Sequence, residues 1–130
     1  MEVDRFDHVV FAVRDVDRTC AFFARVLGME KITFDGGRVA LGFGRHKINL
    51  HQAGREYQPR AAQALPGTQD LCFITRVPLA EAMAHARACG VGVELGPVRK
   101  SGALGEMQSF YFRDPDGNLV EVSNYPEGTA

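Results

Sequence analysis

The 130-residue sequence predicts an α+β fold, in which one β-α-β-β-β module is written twice within a single domain spanning residues 1–130. Three observations support this: runs of β-branched and aromatic residues with turn residues between them, a helix stopped by glycine at the same place in each half, and a 62-residue repeat. The repeat superposes Phe11 on Phe73, Arg14 on Arg76, Ala24 on Ala86, Arg25 on Arg87 and Gly28 on Gly90. These identities accompany the same order of elements, which is the mark of an internal duplication.

The first module, about residues 5–51, opens with the strand DHVVFAV at 7–13. Asp15 then suits the N-cap of a helix that buries Phe22, Phe23, Val26 and Leu27 and ends at Gly28. MEKITF, RVALGF and KINLHQ follow as strands, the first two joined by Asp35-Gly36-Gly37, a strong hairpin signal, and the last pair by Gly44-Arg45. The second module, about 69–125, repeats the order: the strand QDLCFITRV, a helix begun at Pro78 and stopped at Gly90, then GVELGP, MQSFYFR and NLVEVSNY, with Asp114-Pro115-Asp116-Gly117 as the last turn. Residues 52–68, rich in Ala, Gly and Pro and without a period, form the connector. GPVRKSGALGE, at 96–106, reads as a glycine-rich loop carrying Arg99 and Lys100 toward a ligand.

Composition narrows the function classes. Fifteen basic and sixteen acidic residues are interspersed, so no broad basic surface suits nucleic acid, and no apolar run approaches the ~20 residues of a membrane span. The N-terminus lacks the layout of a signal peptide, which predicts a cytoplasmic protein with a small-molecule partner. Cys20, Cys72 and Cys89, an odd number among apolar or helical neighbours, read as buried thiols outside any disulfide.

The chemistry is carried by polar residues on one strand face. Alternation puts His8 with Val10 and Ala12, and the 62-residue repeat carries His8 onto Asp70. In the last strands INL matches VEV, so Asn49 corresponds to Glu121, and His51 lies two residues beyond Asn49. Glu121 stands between Val120 and Val122, where a carboxylate is costly to desolvate without a compensating partner. Each residue has a structural alternative, such as a hydrogen-bonded strand histidine, a capping Asp70, a core amide, or a pairing of Glu121 with Arg38 or Arg113. Those alternatives need separate partners for residues that the repeat places at matching positions. Converging imidazoles and carboxylates make a divalent-cation set for Zn, Ni, Mn, Co or Fe, with no thiolate to favour structural zinc. Tyr111, Met107 and Phe43 supply candidate apolar walls.

The front stretch DHVVFAVRDVDRTCAFFARVLGME and the back stretch YFRDPDGNLVEVSNY resemble the vicinal oxygen chelate superfamily of glyoxalases, bleomycin-resistance proteins and extradiol dioxygenases. NLHQ and FRDPDGNLVEVSNY resemble most its group of glyoxalase domain-containing protein 5 and bacterial relatives labelled biphenyl-diol dioxygenase III-related or virulence-associated. The resemblance spans residues 6–125. It implies a partly closed eight-stranded mixed sheet with the helices outside, completed in a homodimer. It also implies one divalent ion held by His8, Asp70 and Glu121, with Asn49 at the remaining place and His51 able to complete a two-His, one-carboxylate set. Asp70 and Asn49 depart from the His or Glu usual at those places. The implied activity is that of a metal-dependent lyase, isomerase or dioxygenase on a small compound with adjacent oxygens. Glu121 or Asp70 would carry the proton, and Asn49, Arg99, Lys100 and Tyr111 would bind substrate. The alternative is a metal-free binding or sequestration protein of the bleomycin-resistance type.

Overall fold

A computed structural model of the chain describes residues 1–129, which divide into two compact units meeting between Thr68 and Gln69. Both units are built the same way. In the first, β1 (His8–Val13) leads to α1 (Val16–Leu27), then β2 (Glu30–Phe34), β3 (Arg38–Phe43) and β4 (His46–Gln52). In the second, β5 (Asp70–Ile74) leads to α2 (Leu79–Ala88), then β6 (Leu95–Gly102), β7 (Gly105–Arg113) and β8 (Leu119–Asn124). The sheet orders are β1-β4-β3-β2 and β5-β8-β7-β6, with the first strand parallel to the last and the other pairs antiparallel. Each sheet has four strands and neither closes into a barrel. No helix among the described residues is long and apolar enough to cross a membrane.

The local signals explain the elements. Asp15 Oδ1 accepts from the Arg18 backbone N–H at 3.0 Å, and Gly28, at φ 66°, ends α1 by donating to Ala24 O while Met29 N–H reaches back to Phe23 O. Alternation gives each sheet one face for its helix. Phe11, Val13, Leu41, Ile48 and Leu50 are buried there in the first unit with Phe23 and Val26 of α1, and Phe11 meets Phe23 edge to face at 6.3 Å. Phe110, Phe112, Val120 and Val122 play this part in the second unit with Met83 and Ala86 of α2. Each large side chain so buried contributes about 1.5–3 kcal/mol of hydrophobic stabilisation. The opposite, helix-free face of each sheet carries the polar residues.

The segment expected to be a glycine-rich loop is instead an edge hairpin, β6–β7, turning at Ala103 and Leu104. An edge strand needs fewer backbone donors, which is why Pro97 is tolerated within β6. Gly96 lies at φ 129°, where a Cβ would fall 2.6 Å from Phe110 Cβ, so the strand closes on β7 only with glycine at that position. The Tyr125 hydroxyl accepts from Leu104 N–H at 2.9 Å and ties down the tip. The first strand of the second half ends at Ile74, short of the expected Val77.

The DPDGN stretch builds the start of the second parallel seam. Asp114 Oδ1 accepts from the backbone of Asp116 and Asn118, both at 2.9 Å, and Oδ2 accepts from Asn118 Nδ2 at 2.7 Å. Asn118 Oδ1 then accepts from Gln69 N–H at 2.9 Å, and Leu119 N–H donates to Gln69 O at 3.0 Å, which sets β5 in register with β8. Burial raises the Asp114 carboxyl above its ordinary value, partly offset by these donors. Asp114→Ala strands three donors and should cost about 2–3 kcal/mol in urea unfolding, whereas Asp4→Ala on the exposed N-terminal segment should leave the midpoint unchanged.

Candidate functional site

The two parallel seams place side chains at equivalent points of the helix-free faces. In the first unit His8 lies opposite Lys47, Val10 opposite Asn49 and Ala12 opposite His51. In the second, Asp70 lies opposite Leu119, Cys72 opposite Glu121 and Ile74 opposite Ser123. His8 and Asp70 therefore occupy matching positions, as do Asn49 and Glu121. His8, Asn49 and His51 share one face of the first sheet, and Asp70, Glu121 and Tyr111 one face of the second. Among the described residues, no three His, Cys, Asp or Glu side chains come together as a metal set.

Glu121 is 9% exposed and makes no ion pair among the described residues. Arg113, one suggested partner, is engaged by Glu94 at 3.0 and 3.2 Å, and Arg38, the other, packs on His51, Phe34 and Tyr57. What surrounds Glu121 is neutral: Ser123 Oγ donates to its Oε2 at 3.3 Å, Ser109 and Ser123 hydroxyls meet at 2.6 Å, Cys72 Sγ lies 3.2 Å from Ser123 Oγ, and Tyr111 stands opposite on β7. Burial, then hydrogen bonding and charge from Glu121, push the Tyr111 phenol up to about 12. Although Cys72 is exposed as a residue, partial desolvation of its sulfur likewise raises the thiol and keeps it protonated at neutral pH. Cys20 is buried as expected, whereas Cys72 is exposed and Cys89 only half-buried.

His8 is exposed, and its Nδ1 lies 2.8 Å from Asp7 Oδ1, which leaves Nε2 as its outward ligand atom. This hydrogen bond, and secondarily the charges nearby, hold the Asp7 carboxyl below its ordinary value. His51 is buried, with Nε2 3.5 Å from Arg38 Nη2 and its ring 5.3 Å from that of Tyr57. A guanidinium has no lone pair to offer, so Nε2 is the acceptor and the imidazole is neutral. Desolvation first, then the Arg38 charge, lower the His51 pKa. Asn49 is 5% exposed and its Oδ1 has no hydrogen-bond donor. Such an atom costs stability unless a ligand, water or ion satisfies it.

Both cations of residues 96–106 lie on β6: Arg99 sits opposite Gln108, on the face away from Glu121, and pairs with Glu106 at 2.6 Å, and Lys100 is on the Glu121 face, its Nζ 5.7 Å from the Tyr111 ring centroid. Met107 is buried and Phe43 half-buried, so Met107 belongs to the packing. Cavities of about 370 Å³ and about 750 Å³ in the second unit open around Asn124, Tyr125 and Pro126, and neither is lined by Glu121. Sequence reading missed Asp7, Arg38, Lys47 and Tyr57. Asp7 was signalled by its place beside His8; the others gather only once β3, β4 and the connector are folded.

The raised Tyr111 pKa fixes a sign. The neutral phenol contributes stability that is complete below the unfolded value near 10 and is lost as pH rises toward about 12. In ¹³C-tyrosine NMR, Glu121→Gln should move the Tyr111 titration downward; an unmoved titration would show that Glu121 does not bear on the phenol.

Known proteins share this architecture and its sequence. The model of the Glyoxalase/Bleomycin resistance protein/Dioxygenase superfamily matches residues 5–122. Virulence protein STM3117 of Salmonella typhimurium is 46% identical over 125 residues, covering 96% of this chain and 87% of that protein. Glyoxalase domain-containing protein RDO1 of Mycosarcoma maydis is 46% identical over 127 residues, covering 98% and 72%. The solved integron cassette protein VCH_CASS1 from the mobile metagenome of V. cholerae superposes with a TM-score of 0.95 at 50% identity, over 97% of this chain and 98% of that one. With a family match over nearly its whole length and the duplicated β-α-β-β-β fold, the chain belongs to the Glyoxalase/Bleomycin resistance protein/Dioxygenase superfamily.

Proposed function

We propose that this protein is a divalent-metal-dependent enzyme acting on a small substrate with two adjacent oxygens, its two units working as one domain. The observation that carries the reading is the Glu121 carboxylate, buried beside hydroxyls and a thiol and without an ion pair among the described residues. A carboxylate so placed is costly unless a cation compensates it.

The residues present fit such an ion. His8 presents Nε2 while Asp7 holds Nδ1, the carboxylate-to-histidine arrangement that fixes the ring of a metal-binding imidazole. Asn49 Oδ1 is a buried acceptor in need of a donor or a cation. His8 and Glu121 are the proposed ligands, with Asp70 and Asn49 able to fill further positions. His51 is less suited, because the Arg38 guanidinium already engages its Nε2 and would repel a second cation there. We assign it to the substrate side. The proposal includes a homodimer.

A bound ion would supply Lewis-acid stabilisation of negative charge developing on one of the two substrate oxygens. The chain's own side chains do the rest. Asp70, exposed and close enough to influence both Tyr111 and Cys72, would take and return a proton, a role whose removal typically costs ~10²–10⁴ in rate. Tyr111, neutral throughout the working pH range, can donate a hydrogen bond to a substrate oxygen or to Glu121 without changing charge.

Elemental analysis of protein purified without a polyhistidine tag, stripped and reconstituted with Zn, Mn, Ni, Co or Fe, tests the reading. We expect about one ion per chain, lost in Glu121→Ala and in His8→Ala while circular dichroism stays native, and a two-chain particle in sedimentation. Wild-type protein that takes up no stoichiometric ion under any of these conditions would overturn the enzyme reading in favour of metal-free sequestration.

A further inference from the structure

The helix-free face of the first unit holds a second set of groups outside the proposed ion ligands. Arg38 on β3 and Lys47 on β4 are both half-buried, and neither forms an ion pair among the described residues. Lys47 lends its charge to the depressed pKa of Asp7 without pairing with it. A half-buried cation without a carboxylate is uncommon and has to be held by other means.

Here the means are aromatic. Arg38 Cζ lies 4.4 Å from the Tyr57 ring centroid and 5.2 Å from that of Phe34, and Lys47 Nζ lies 3.7 Å from the Phe34 centroid. Stacking on rings engages the guanidinium's flat surface and leaves its N–H edge, of which one nitrogen reaches His51. That edge presents parallel donors in the geometry that matches two oxygens of a carboxylate or phosphate.

We infer that Arg38 and Lys47, backed by Phe34 and Tyr57, form an oxyanion-binding subsite, so that the substrate carries a carboxylate, phosphate or phosphonate group. This names the substrate class of the enzyme proposed above and rests on that reading for its meaning, though not for its test. Tyr57 belongs to the connector after β4, so the connector serves as one wall of the subsite.

The test uses full-length, metal-stripped protein, so that failure of the ion site does not affect it. Sodium phosphate and sodium benzoate are titrated separately at constant ionic strength, with sodium chloride as control, while the Arg38 side-chain N–H and the His51 ring are followed by ¹⁵N NMR. Saturable shifts at Arg38 and His51 with phosphate, benzoate or both support the subsite, and the tighter probe separates tetrahedral from planar oxyanions. Arg38→Gln and Lys47→Met should each weaken that binding by about tenfold or more. Glu81→Gln, at an exposed position in the first turn of α2, should leave it unchanged within about twofold. If Arg38→Gln fails to fold, Lys47→Met and Tyr57→Ala decide alone. Absence of saturation with both anions, or equal affinity in wild type and the Arg38 and Lys47 variants, overturns the inference. Because no metal is present, a negative result here with a normal ion content above would discard the subsite and keep the metal reading.

Discussion

In each half of the chain the first strand lies parallel to the last, and this seam decides which side chains can meet. It sets Val10 beside Asn49 and Cys72 beside Glu121, and so turns a vague sequence repeat into positional equivalence. Backbone and side-chain bonds clamp both seams at their ends. In the first unit Gln52 Nε2 donates to Arg14 O and Ala53 N–H to Val13 O; in the second Asn118 holds Gln69 at one end and Asn124 holds Thr75 and Val77 at the other. A slip of one residue would exchange the polar set for the apolar one, so register and chemistry are the same constraint.

On this common frame the two halves have diverged in charge. The strands β1, β3 and β4 offer Arg38, Lys47, His8, His51 and Asn49 on their helix-free face, whereas β5 and β8 offer Asp70 and Glu121. One duplicated surface thus became cationic and neutral, the other acidic. An acidic face can hold a metal ion, and a cationic face can hold the charged end of a substrate that the ion alone would not select. Electrostatics bears on these roles as much as residue type does: His51, an acceptable ligand by its chemistry, has the Arg38 guanidinium at its Nε2.

Much of the frame was legible in the sequence. Alternation around Val120 and Val122 identified the face of Glu121, the Asp15 and Gly28 signals bounded α1, and Asp35-Gly36-Gly37 marked a hairpin that the structure contains. What stayed hidden shares a physical cause. The strand read over GVELGP meets β6 only at Leu95–Pro97, and the rest of β6, to Gly102, exists because β7 pairs with it. The cluster of Arg38, His51 and Tyr57 depends on an aperiodic connector folding back onto β3 and β4, for which no periodicity gives notice. DPDGN was legible as a turn, but its use in locking β5 to β8 depends on the side chain of Asn118 reaching another strand.

The functional account turns on the proposal that His8 and Glu121 bind one cation, and paramagnetic relaxation tests it without any knowledge of the substrate. Mn²⁺ added sub-stoichiometrically to ¹⁵N-labelled protein should broaden the amides of His8, Asp70 and Val120–Val122 together, before those of the exposed acidic N-terminus. Broadening confined to Glu2, Asp4 and other surface carboxylates, with His8 and Glu121 untouched or affected at different ion concentrations, would contradict it.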